Sequence, residues 1–277
     1  MALIQINYIS CALQRTVPVQ VILPVDKLTP DGQLPPEKKF KTLYLLHGFL
    51  GNCTDWVSGT RIQRWAEERD LCVVMPSGDN SFYVDRPGTL NNYGKFIGQE
   101  LVEITRRMFP LSRKREDTFI GGLSTGGYGA VRNGLAYPDT FGAVISFSGV
   151  LQPFESLARV PDSYDTSFET GTFGDLKAAA DSDKNPTWLV RRLAQRKLAD
   201  PQLALPAIYI TCGTEDSLLS HSRDFRDLLT ANGFPVTYEE GPGDHNWDFW
   251  DTHIQKVINW LPLDDASQGL NSGNVHK

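Results

Sequence analysis

No stretch of the chain approaches the roughly 18 consecutive apolar residues that a membrane-spanning helix requires, so a membrane partner is not expected. Positive charge is also short. Lys and Arg number 27 against 33 Asp and Glu, a formal net charge of -6. Binding to a phosphate backbone needs the opposite balance, so nucleic acid is excluded as the main partner. Cysteine is sparse: Cys11, Cys53, Cys72 and Cys212 are widely separated and form no CxxC pair. Three of them sit in or beside apolar runs, as small buried hydrophobes do in a reducing compartment. No His, Cys and Asp cluster has the spacing of metal ligands, and no metal is expected. The first ten residues, MALIQINYIS, lack a basic region, a long apolar run and a small-residue cleavage site. The expectation is a cytoplasmic protein without disulfides. The glycine-rich stretch GGLSTGGYG lacks the lysine of a phosphate-binding loop and does not fit the dinucleotide fingerprint, so no nucleotide cofactor is expected. Internal repeats and low-complexity tracts are missing too.

What is present is a rhythm. Two strands are expected first, over Leu3 to Ile9 and Val17 to Leu23, the second alternating as an antiparallel edge hairpin does. After a Pro- and Gly-rich loop, short apolar runs alternate with amphipathic segments. The runs are Leu43 to Leu46, Leu71 to Met75, Thr118 to Gly121, Ala143 to Phe147, Ala207 to Thr211 and Val236 to Glu239. The helical segments are Arg61 to Arg69, Asn92 to Phe109, Thr125 to Ala136, Ser220 to Asn232 and Trp247 to Leu261. In the second of these, Ile97, Leu101, Ile104 and Met108 are spaced to form one apolar face. The pattern predicts an α/β fold: a mostly parallel central sheet of about eight strands with helices on both faces. One domain is expected over 1–263, with a small cap insertion over about 150–201 and a flexible tail over 264–277.

The chemistry centres on Gly122-Leu123-Ser124-Thr125-Gly126, a G-x-S-x-G pattern. By itself the pattern is weak. Here a predicted strand precedes it and a helix follows, which is the context of a nucleophile elbow. Such a turn exposes the serine Oγ at a helix N-terminus, where developing negative charge is favoured. An alcohol needs a base to take its proton. Of five histidines, His276 lies in the tail, His221 and His253 fall in predicted helices with surface roles expected, and His47 ends a strand. His245 lies in a loop between the last strand and the last helix, from which an imidazole can reach a nucleophile on the same sheet edge. The orienting acid should follow the preceding strand, where Glu215 and Asp216 compete. Asp244, adjacent to His245, is read as a loop-shaping residue. An oxyanion needs two N–H donors: Thr125, after the serine, and one from the turn after Leu46, with Phe49 assigned and Leu50 as the fallback. Phe82, Tyr83, Trp247 and Trp250 fit an acyl pocket as readily as a core.

With these residues placed, the chain resembles the esterase D family, and within it the bacterial tributyrin-type acetylesterases. The likeness runs from Ala2 to about Leu261 through LLHGFLGN, Asp55-Trp56, VVMPSGDNSFYVD, GGLSTGGYGA, YPDTF, GTEDSLL and GDHNWDFW. It implies the α/β-hydrolase fold, hydrolysis of short acyl esters and no cofactor, and it favours Asp216 over Glu215 as the acid. Thioesterases of the S-formylglutathione hydrolase type and feruloyl-type esterases share the fold, though the oxyanion turn differs from the SGLTC-like turn of the former. Relatives that form dimers or tetramers leave room for a homo-oligomer.

Overall fold

Each apolar run becomes a strand because its side chains are covered on both faces, and a continuous hydrophobic run suits that burial better than an alternating one. The computed structural model describes residues 1–264 together with 269 and 270. The strands are β1 (Ala2–Ser10), β2 (Arg15–Leu23), β3 (Thr42–Leu46), β4 (Cys72–Pro76), β5 (Asp85–Arg86), β6 (Asn91–Asn92), β7 (Thr118–Leu123), β8 (Ala143–Phe147), β9 (Ala207–Gly213) and β10 (Val236–Gly241). Eight of them form one sheet in the order β1-β2-β4-β3-β7-β8-β9-β10, and β5 and β6 make a separate two-stranded ribbon. From β4 through β10 the neighbours run parallel; β2 is antiparallel to both β1 and β4. Every residue of β3, β4, β7 and β8 is buried, whereas β1 alternates as an edge strand does.

The two faces of the sheet carry separate cores, set by the period of two along each strand. Tyr44, Leu46, Val74, Ile120, Val144 and Ile210 point to one side, against the helices Thr125–Ala136, Pro186–Ala199 and Leu219–Ala231. Leu43, Leu45, Val73, Met75, Phe119 and Ile145 point to the other, against Ile62–Glu68 and Trp247–Trp260. The parallel sheet with its helical layers is the expected α/β-hydrolase architecture.

Three features differ from the sequence reading. The segment 92–109 is not one regular helix. It runs as Tyr93–Lys95, a π-helical turn over Phe96–Glu100 and then Leu101–Met108. A π turn takes in an extra residue and rotates whatever follows. The buried face becomes Ile97, Leu101, Val102 and Thr105, and Met108 turns outward, 44% exposed. The short helix Asp55–Gly59 and the β5-β6 ribbon carry no periodic signal and were not expected. Within 150–201 the chain forms the helices Pro153–Leu157, Ser167–Phe173, Leu176–Ala180 and Pro186–Ala199. The last of these buries Leu189, Val190 and Leu193 in the main core, so it is a layer of the sheet's own covering. Phe154, Phe173 and Ala179 instead form a smaller apolar cluster with Phe82, Val84 and Tyr128. Of the tail placed at 264–277, residues 265–268 and 271–277, His276 among them, lie outside the described residues. Leu270 pairs with Leu28 through reciprocal backbone hydrogen bonds of 3.1 and 2.7 Å. Among the described residues no helix is long and apolar enough to cross a membrane.

Ile145 is fully buried at the centre of β8. Truncation to Ala removes transfer energy and leaves a cavity, so Ile145→Ala is expected to cost about 2–5 kcal/mol. Urea unfolding should show a lower midpoint with an unchanged slope.

Candidate active site

Parallel strands deliver their carboxyl ends to one edge of the sheet, and that is where the chemical groups collect. Ser124 follows β7 directly and precedes the helix Thr125–Ala136. Its backbone is strained, with φ 54° and ψ -120°. A non-glycine residue in such a conformation costs of order 1–3 kcal/mol and persists only where its surroundings hold it. Here the Ser124 N–H donates to Phe147 O at 2.9 Å, and its carbonyl accepts from Tyr128 N–H (3.1 Å) and Val150 N–H (3.2 Å). The flanking glycines are steric necessities. A Cβ on Gly122 would collide with the carbonyl oxygen of Gly126, and one on Gly126 with that of His47. Leu50, Phe82, Tyr83 and Ser148 also have positive φ in the loops around this edge.

Asp216 leaves the loop after β9 and is buried, 4% exposed. His245 lies between β10 and the last helix, whose first turn is capped by the Asn246 side chain accepting from Phe249 N–H. His245 Nδ1 and Asp216 Oδ2 are 2.9 Å apart. Burial works to raise the Asp216 pKa. The hydrogen bonds from His245, the Leu218 amide and the Ser148 hydroxyl outweigh it, and the pKa lies below its ordinary value. An ionised carboxylate only accepts, so His245 carries a proton on Nδ1 towards Asp216. Of the two competing carboxylates, Asp216 is the one that meets the imidazole. Glu215 accepts from Gly243 N–H at 2.5 Å and braces the loop instead. The Asp244 carboxylate accepts the His245 N–H at 2.7 Å, as a loop-shaping residue does.

Two residues support this pair: Ser148, which carries no sequence signal, and Trp250, which the sequence fits to a pocket as readily as to a core. Ser148 Oγ accepts from Trp250 Nε1 at 3.2 Å and in turn holds Asp216. Trp250 meets the His245 ring edge-on, with centroids 5.0 Å apart. The aromatics considered for an acyl pocket separate accordingly. Trp250 steadies the imidazole, Trp247 packs between Trp56 and Trp250, and Tyr83 is buried with its hydroxyl on His47 O at 2.8 Å. Phe82 joins the cluster of Tyr128 and Phe173, and Phe168 links it to Phe49. The histidines outside the site also differ from expectation: His253 is buried against Phe249, and His221 is half-buried beside Ser156.

The turn after β3 lies against the serine. A Cβ on Gly48 would come within 3.3 Å of Ser124 Cβ. The Leu50 N–H is committed to Asn80 Oδ1 at 2.9 Å. The Phe49 N–H has no intramolecular acceptor among the described residues. The Thr125 N–H, in the first turn of its helix, is one of the amides that a helix leaves without an internal partner. No group of three or more His, Cys, Asp and Glu that could hold a metal occurs among the described residues.

A histidine bonded to a buried carboxylate and a half-buried serine in a strained turn lie at one edge of the sheet, and comparison with known proteins places the chain among esterases. The family model described as "Putative esterase" matches residues 10–261. This chain belongs to that esterase family. The acetyl esterase of Caldicellulosiruptor saccharolyticus is 41% identical over 275 residues, 94% of this chain and 98% of that protein. An S-formylglutathione hydrolase from Staphylococcus aureus is 33% identical, with a TM-score of 0.79 over 94% of this chain and 98% of its own. The fluorophosphonate-binding serine hydrolase F of the same organism is 31% identical, with a TM-score of 0.80 and the same coverage. The chain is a carboxylic ester hydrolase with the α/β-hydrolase fold.

Replacing Asp216 with Asn keeps the shape but removes the charge and, with Oδ1 held by the Leu218 amide, turns an N–H donor towards Nδ1, which no longer fixes the tautomer. Asp216→Asn is expected to lower kcat by about 10⁴-fold in an ester hydrolysis assay, with little change in KM. A second expectation concerns acid. Burial lowers the pKa of His47, His221 and His253 below the ordinary 6.5. Below pH 6.5 the unfolded chain therefore takes up these protons more readily than the folded one. Their contribution to stability is complete above that pH and is lost as the pH falls towards the folded values. Urea midpoints should drop as the buffer is acidified through this window; a constant midpoint contradicts three histidines held neutral.

Proposed function

We propose that this esterase hydrolyses short-chain acyl esters, acetyl to butyryl, through an acyl-enzyme on Ser124. The observation that carries this reading is the 2.9 Å bond from His245 Nδ1 to the buried Asp216, on the edge where Ser124 stands half-buried in a strained turn. His245 Nε2 takes the Ser124 Oγ proton as Oγ bonds to the ester carbonyl carbon. The carbonyl oxygen becomes an oxyanion held by the Phe49 and Thr125 amides. Asp216 stabilises the imidazolium. Collapse breaks the bond to the leaving alcohol, which receives the proton from His245. Water then repeats the sequence on the acyl-serine, with the same imidazole as base, and releases the carboxylic acid.

Phe49, Phe168 and Phe82 stand in edge-on and tilted contact beside the oxyanion turn, which supports a short acyl group. The acetyl esterase relative supports the same class. The Staphylococcus aureus S-formylglutathione hydrolase supports a thioester as the second reading. A cytoplasmic setting belongs to this proposal, supported by four unpaired cysteines, three of them buried.

The test is hydrolysis of p-nitrophenyl esters from acetate to decanoate, with S-formylglutathione as a parallel substrate. Acetate and butyrate should be cleaved fastest. Ser124→Ala should lower kcat by about 10⁴–10⁶-fold without loss of fold. Near-normal turnover by that variant defeats the assignment. Efficient turnover of the thioester alone moves the substrate class to the second reading.

A further inference from the structure

The turn that supplies the second oxyanion donor contains two free-standing peptide units, and two side chains outside the reacting groups hold them in opposite senses. We infer that His47 and Asn80 are positioning residues for the oxyanion hole: His47 aims the Phe49 amide at the reacting carbonyl, and Asn80 draws the Leu50 amide away from it. The inference rests on the reading of Ser124 as the nucleophile.

His47 is 1% exposed, and both of its ring nitrogens are bound. Nε2 accepts the Gly78 N–H at 2.8 Å, so Nε2 carries no hydrogen. The hydrogen is therefore on Nδ1, which donates to the Gly48 carbonyl at 2.7 Å. Burial holds the ring in this neutral form by lowering its pKa. The Gly51 N–H closes the turn on the same carbonyl at 3.3 Å. A trans peptide is planar, with its N–H antiparallel to its C=O. Fixing the Gly48 carbonyl towards His47 therefore fixes the Phe49 N–H in the opposite direction. Gly48 itself abuts the nucleophile: an added Cβ would lie 2.6 Å from Leu123 Cδ1 and 3.3 Å from Ser124 Cβ. Tyr83 pins the other side of the histidine, donating its hydroxyl to His47 O at 2.8 Å.

Leu50 has φ 66°, the left-handed region that a branched side chain avoids. Its N–H donates to Asn80 Oδ1, which holds the residue there and commits the neighbouring amide elsewhere. One amide of the turn is thus available to an oxyanion and one is not.

Losing a whole oxyanion donor costs about 10²–10³-fold in kcat. His47→Ala should approach that, about 10²-fold, and Asn80→Ala should lose about 10-fold, because the turn then samples other peptide orientations. In both, KM for p-nitrophenyl acetate should stay within about twofold, since the ground-state carbonyl draws little on these donors. The diagnostic readout is a trifluoromethyl ketone, which adds to the serine as a hemiketal oxyanion. Its affinity should fall by the same factor as kcat, and His47→Gln, neutral with a donor and an acceptor, should recover part of both. Asn80 is exposed, so Asn80→Ala decides the matter even where His47→Ala fails to fold. Wild-type kcat and ketone affinity in Asn80→Ala and His47→Gln overturn the proposal. So does a fall in kcat with no matching fall in ketone affinity, which marks a merely structural effect. Ser124→Ala is run alongside. If it stays active, the nucleophile assignment fails; if it is inert while the turn variants are normal, the positioning role alone fails.

Discussion

Ser124 can hold its positive φ because three backbones meet at one point with no side chains between them. The end of β7, the first turn of the following helix and the end of β3 approach so closely that a single carbon on Gly122 or Gly126 would strike a carbonyl oxygen. Everything else in the site is arranged around that contact. It brings the helix N-terminus, with the Thr125 amide in its first turn, to the serine. It also sets the turn after β3, which carries Gly48 and Phe49, against Ser124. The strain is held by the sheet, through the bond from Ser124 N–H to Phe147 O on the neighbouring strand.

The electrostatics follow from the same edge. β9 ends beside β8 and β10 beside β9, and their loops carry Asp216 and His245. A buried carboxylate costs too much to keep ionised without donors. Asp216 has three, from the His245 ring, the Leu218 amide and the Ser148 hydroxyl, and its pKa is lowered in spite of burial. Trp250 ties this arrangement to the last helix by bonding Ser148 and flanking the imidazole. Two histidines with unlike environments take unlike tasks. His245 sets Nδ1 against the carboxylate of Asp216, whereas both nitrogens of buried His47 are used in holding a turn.

Much of this is legible in the sequence because it depends on local pattern. Apolar runs of four or five residues mark strands buried on both faces, and G-x-S-x-G between a strand and a helix marks the elbow. The position of His245 follows from chain order, and the choice of Asp216 over Glu215 from family resemblance. What escaped is set by geometry that periodicity does not encode. The π turn at Phe96–Glu100 rotates the helix and exposes Met108, though spacing places it inward. Ser148 and Asn80 are ordinary polar residues in loops, and each matters only because tertiary structure aims it at one partner. His253 looks like a surface residue on a helix, yet it is buried against Phe249 and bonded to the backbone oxygen four residues earlier.

The central claim is that one residue, Ser124, is made nucleophilic by His245 and Asp216. A fluorophosphonate reacts covalently with an activated serine, so its site of attachment tests this most directly. Treatment of the folded protein followed by peptide mass spectrometry should find one adduct per chain, on the peptide that contains Ser124. Labelling should be lost in Ser124→Ala and strongly slowed in His245→Ala. An adduct on any other residue, or equal labelling of the Ser124→Ala variant, contradicts the account.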